Sequence, residues 1–138
     1  MKLGPIVARL KEKGAKRVYG ALELAQLDKS PTQLPAHFVV PDRFSAGENR
    51  HQGIHHQPIS EEFGVVILVQ ARNLREDLVS DELSDLEEVV IDALVGWVPP
   101  GCSRACDLVG GRLLSVSGHT VGWLVSFRTG RELRKVPQ

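Results

Sequence analysis

Apolar positions Leu3, Ile6, Val7 and Leu10 recur at helical spacing, with Lys11, Glu12 and Lys13 on the other side. Pro5 suits a first helical turn and Gly14 a stop, so the pattern predicts a short amphipathic N-terminal helix. From Arg17 the pattern is mixed: Val18, Gly20, Leu22 and Leu24 alternate as in a strand, while residues 21–27 are good helix formers. The expectation is a strand from about Arg17 that turns helical before Asp28, then a loop marked by Asp28-Lys29-Ser30-Pro31 and Leu34-Pro35. His37-Phe38-Val39-Val40 reads as a short strand ended by Pro41. A polar stretch, Asp42 to Gln57, follows and is read as a flexible loop. Residues 63–71, FGVVILVQA, are apolar on both faces, which predicts a central strand covered on both sides. The strands flanking the polar stretch predict one long hairpin with a projecting tip.

The clearest helix comes next. Val79, Leu83, Leu86, Val90, Leu94 and Trp97 step by three or four along one face, and Asp81, Asp85, Glu88 and Asp92 step the same way along another. Gly96 and Pro99-Pro100-Gly101 stop it. The chain then returns to β structure. Leu108 and Val109 precede Gly110-Gly111, which permits a tight bend, and Arg112 to Val116 leads into a turn at Ser117-Gly118-His119-Thr120. Val121, Trp123, Val125 and Phe127 place large residues on one face of a last strand. The polar residues 131–138 are expected to fray. This order predicts an α+β fold: a mostly antiparallel sheet, two main helices packed on one face, and one long projecting hairpin.

The length, 138 residues, predicts a single domain over 1–138. Seventeen Lys and Arg balance seventeen Asp and Glu, which argues against dedicated nucleic-acid binding. No apolar run reaches the length of a membrane span, and the first residues lack the apolar core of a signal peptide; a cytoplasmic chain is expected.

The candidate chemistry is thin. Cys102 and Cys106 supply half of a structural zinc site and read as free thiols beside a turn. His51, His55 and His56 cluster, but Gly53 and Pro58 oppose the helix that would align them, so a solvated loop is the expected reading and no metal or cofactor is assigned. The acidic stripe lies opposite a leucine stripe and therefore faces water or a partner rather than forming a catalytic carboxylate pair. No nucleophile elbow, P-loop or dinucleotide fingerprint is present, and Ser115, Ser117 and His119 have no orienting acid. Trp97 and Trp123 read as core anchors. The chain is not expected to be an enzyme.

Several segments together resemble the tail terminators of long-tailed phages and prophages. They are LPAHFVVP (34–41), EFGVV (62–66), ALVGWVPPG (93–101), LVGGRLL (108–114), VGW (121–123) and FRT (127–129), in matching order across about four-fifths of the chain. The resemblance implies an α+β protein without catalytic residues. It implies a hexameric ring that caps the tail tube when its length is set and presents a surface to head–tail connector proteins. The implied partners are other copies of the chain, the tail tube protein and the connectors. The implied place is the head-proximal end of the tail, after assembly in the host cytoplasm.

A ring needs two different patches of one subunit to meet. The sequence nominates Asp81, Asp85 and Glu88 for one and Arg43, Arg50, Arg128 and Arg131 for the other, with the projecting tip ordering on docking. The alternatives are a head–tail connector or tail-completion protein, a small metal-binding protein built on His51, His55, His56, Cys102 and Cys106, and a protein-binding regulator encoded by a prophage.

Overall fold

The apolar run at 63–71 becomes the middle of the molecule because it has two faces to bury. The computed structural model describes residues 1–22, 33–71, 76–117 and 119–138. The elements run α1 (Gly4–Glu12), β1 (Val18–Gly20), β2 (Ala36–Ala46), β3 (His55–Gln70), α2 (Glu76–Leu94), β4 (Arg104–Ser117) and β5 (Thr120–Lys135). The strands form one open sheet in the order β1-β2-β3-β5-β4. Only β1 and β2 pair in parallel; the other neighbours are antiparallel. The fold is α+β, as the order of elements predicts.

Alternate residues of β3 separate onto two faces. Phe63, Val65, Ile67 and Val69 join Ile6 and Leu10 of α1 and Val90, Ala93 and Leu94 of α2 in one buried cluster. Val66 and Leu68 enter a second cluster with Ala36 and Phe38, edged by Tyr19, Leu34, Val40 and Leu124. On β5, Val121, Val125 and Phe127 join the first cluster and Trp123 packs against it. The Trp123 indole N–H also donates to Glu87 at 2.6 Å, which ties α2 to the sheet.

The helices begin and end where the sequence punctuates them. Pro5 lies in the first turn of α1, and Gly14 takes φ +99° just past its end. Gly96, at φ +86°, turns the chain out of α2, a backbone conformation that L side chains disfavour. Trp97 therefore lies beyond the helix rather than on its stripe, but it packs on the same core. Arg9 reaches from α1 to α2, donating to the Ala93 carbonyl at 2.9 Å with its guanidinium 5.3 Å from the Trp97 ring.

Three boundaries differ from expectation. β2 does not end at Pro41 but runs to Ala46, with a register shift between Pro41 and Arg43. β1 covers only His37 to Val39 of β2, so Pro41 sits where β2 is an edge and its missing N–H breaks no ladder. The polar stretch is consequently strand at 42–46 and 55–57, which leaves the tip at 47–54. The tail expected to fray from 131 is instead β5 up to Lys135, with residues 131–135 paired to 55–59 of β3. Cross-strand pairing held those polar segments where their own hydrophobicity did not. β4 also begins at Arg104, and its register shifts around Gly110. The expected helical turn before Asp28 and the loop at 28–31 lie outside the described residues, as does position 118 of the turn at 117–120.

His37, fully buried on β2, carries a consequence for pH. Its ring N–H at Nδ1 donates to the Lys16 carbonyl at 2.6 Å, and Nε2 meets no partner among the described residues. Burial pushes the imidazole pKa below its usual value, against a smaller opposite pull from the Lys16 bond. The unfolded chain takes up a proton near pH ~6.5, and the folded chain only at lower pH. Stability from this site is therefore complete above the unfolded value and is lost as pH falls through it toward the folded one. Urea unfolding at pH 7.5 and pH 5 should show wild type losing more stability on acidification than His37→Asn, which cannot take up the proton. Equal losses would remove His37 from the acid response.

Candidate assembly interface

β2, β3 and β5 outrun the helices that cover one face of the sheet. Beyond Phe63 the three strands carry polar side chains, and these organise around two glutamates. Glu62 points away from the helices and holds two arginines: Arg43 Nε on β2, and Arg128 on β5, whose NH2 group donates at 2.6 Å. The register explains this, because Arg43 and Arg128 both pair directly with Glu62 from opposite sides. The hydrogen bond from Arg43, then that from Arg128, holds the Glu62 carboxyl below the usual carboxylate range. The two cations share the Glu62 carboxylate, with Asp42 adding a second negative charge near Arg43, and Ser45 and Ser60 line a hollow of about 240 Å³ beside them.

Glu61 points to the helix side and is nearly buried. The Met1 amino group lies 3.0 Å from its Oε1 and Arg131 Nε 3.3 Å from the same oxygen. Of the nominated arginines, three are thus engaged within the chain: Arg43 and Arg128 on Glu62, and Arg131 on Glu61. Arg50 stands exposed in the tip. The sequence analysis missed both glutamates as organisers. Their partners lie 66 and 70 residues away along the chain, and only the strand register brings them together.

The tip is braced from within. The Asn49 carboxamide oxygen accepts from the backbone N–H of His56 at 3.0 Å and of His51 at 3.4 Å. The His51 and His56 rings lie 4.5 Å apart, and His56 Nε2 meets Glu132 of β5 at 2.8 Å. His55 instead bonds Gln57. The three histidines thus take different partners, and among the described residues no three His, Cys, Asp or Glu side chains converge as metal ligands would. Two apolar side chains stand out of this polar extension, Phe44 on β2 and Ile54 in the tip.

Asp81, Asp85, Glu88 and Asp92 are all exposed on α2. They bond no cation among the described residues, and the helix has no basic residue in its last turn. The cysteines are free; Cys102 is half-buried, and burial pushes the Cys106 thiol up to about 11, which leaves it protonated and unreactive at neutral pH.

A family model described as "Phage tail terminator protein" matches residues 1–137. Among solved structures, a chain from the "virion of native gene transfer agent (GTA) particle" superposes with a TM-score of 0.56 at 16% identity, over 90% of this chain and 84% of that one. At that identity the likeness is one of fold. No curated protein gives a significant match.

Proposed function

We propose that this chain, which belongs to the phage tail terminator family, caps the tail tube, ends its polymerisation and offers the surface on which heads join. It is a structural tail protein of the virion. The observation that carries the finer reading is the family match over residues 1–137. The working form in this reading is a closed homo-oligomeric ring, expected to be a hexamer, assembled in the host cytoplasm. Its further partners are the tube protein and the head–tail connectors.

The projecting three-stranded extension supports the reading. It is stiffened by paired strands over its length; Phe44 stands exposed on β2, and Arg50 and Ile54 in the tip beyond it, side chains suited to a partner's surface. A rigid arm of that kind reaches a neighbour without a large ordering cost.

Tail length tests the proposal. Lysates of a prophage lacking this gene, viewed by negative-stain electron microscopy, should contain overlong tails not joined to heads, and expression in trans should restore normal particles. Tails of normal length without heads would move the role to a head–tail connector. Normal infectious particles would refute both.

A further inference from the structure

The neutral net charge conceals a strong asymmetry between residues 1–20 and α2. Residues 1–20 carry Lys2, Arg9, Lys11, Lys13, Lys16 and Arg17 against Glu12 alone, although Arg9 is turned onto α2 and the chain start beside Lys2 is held at Glu61 of β3. On the helix that covers central β3 and reaches β4, the nineteen residues of α2 carry eight Asp or Glu and no Lys or Arg. β4 itself adds Asp107 against Arg104 and Arg112. The helices lie side by side on one face of the sheet, α1 against β1 and against α2, and α2 chiefly against central β3 with a lighter contact to β4. Lys2, Lys11, Lys13 and Lys16 are exposed and have no anionic partner among the described residues; Asp81, Asp85 and Glu88 are likewise exposed and have no cationic partner there.

Among the described residues, the β4 edge gathers most of the exposed large apolar side chains. Leu108, Val109, Leu113 and Leu114 are each 41–54% exposed on this edge strand, and Val95 and Val98 stand exposed on the segment that pairs with it at Cys106. An edge this apolar is a hazard to a solitary chain. Its three register shifts break the regular ladder, which disfavours simple addition of a further strand and favours side-chain packing. The β1 end offers an apolar counterpart in Leu22, 70% exposed and two residues past β1.

We propose that the β4 edge is covered by the β1 end of a second copy of this chain. The leucines of β4 pack against the α1–β1 end, and the α1-side lysines of one copy face the α2 carboxylates of the next. The contact joins two different patches, so it is head-to-tail and repeats from copy to copy until the rotation closes a ring. Complementary charge sets the register, and the apolar edge supplies the area removed from water. The proposal specifies the subunit contact of the ring read above, and it reassigns the cationic side. Arg43, Arg128 and Arg131 are already held by Glu62 and Glu61, whereas the α1-side lysines are free among the described residues.

Charge exchange tests it on the full purified chain by native mass spectrometry and light scattering. One variant carries Lys11→Glu, Lys13→Glu and Lys16→Glu; the other carries Asp81→Lys, Asp85→Lys and Glu88→Lys. Each alone should self-associate roughly tenfold or more weakly than wild type, because like charges meet at every contact. Mixed, the two should form rings of alternating copies. One chain bearing both sets should assemble with itself. Leu113→Asp should also weaken assembly, with Val136→Asp, a more exposed apolar position just past β5, as the unaffected control. Circular dichroism identifies any variant that has unfolded, and rescue in the mixture requires folded partners in any case. A wild-type chain that stays monomeric at its highest soluble concentration, or two variants that assemble alone as well as wild type, would overturn the contact. Neither outcome touches the capping role, which stands or falls on tail length.

Discussion

Phe127→Ala should cost about 3–5 kcal/mol and leave little of the fold's stability. Phe127 is fully buried on β5, directly opposite Phe63 of β3, and the rings stack with centroids 5.5 Å apart and planes 20° apart. The pair sits where the helix-covered part of the sheet gives way to the polar extension, so its loss opens a cavity beside buried Glu61 and Thr129. A single domain has about 5–15 kcal/mol in total, and this substitution removes a large share of it. Urea unfolding of wild type, Phe127→Ala, Phe63→Ala and the double variant measures both the cost and the coupling. The coupling should be about 0.5–1.5 kcal/mol, the contribution of an aromatic pair beyond its area. A cost under about 1 kcal/mol would mean that these rings are not the centre of the core.

Gly64→Ala should destabilise by about 1–3 kcal/mol, although a strand interior ordinarily favours alanine over glycine. Gly64 lies in the central strand between Val40 of β2 and Ser126 of β5. A Cβ there would come within 2.6 Å of Leu124 Cδ1, with its other neighbours no nearer than 3.5 Å. Leu124 folds across the glycine to edge the second cluster, so the absent side chain makes room for it. Leu124→Val removes the one clashing methyl. In that background Gly64→Ala should cost little or turn stabilising, because the unfolded chain then loses less freedom on folding. If Gly64→Ala costs the same in both backgrounds, the close approach of Leu124 does not explain the glycine.

The elements with strong periodicity were readable from the chain. The stripe from Val79 to Leu94 produced α2, the unbroken run at 63–71 produced a strand buried on two faces, and Val121 to Phe127 placed its large residues inward. Each of these carries its signal within a few residues, in the match between apolar spacing and the period of a helix or strand. Resemblance of ordered segments reached the family before any coordinate did.

The polar segments were not readable in that way. Residues 42–46 and 131–135 lack apolar alternation, and they are strands because β3 lies beside them and extends its ladder to both. The grip of Glu62 on Arg43 and Arg128, and of Glu61 on Arg131, depends on a register between residues far apart in sequence, which local pattern does not encode. The charge asymmetry was present in the letters all along, six cations near the start and eight acids on one helix. Only the tertiary structure sets them apart, with α1 on β1 at one edge of the sheet and α2 over central β3 and reaching the other edge strand, β4. Local spacing thus determined the helices, the central strand and the core. Long-range pairing decided the extension, the engaged arginines and which charges remain to meet another copy.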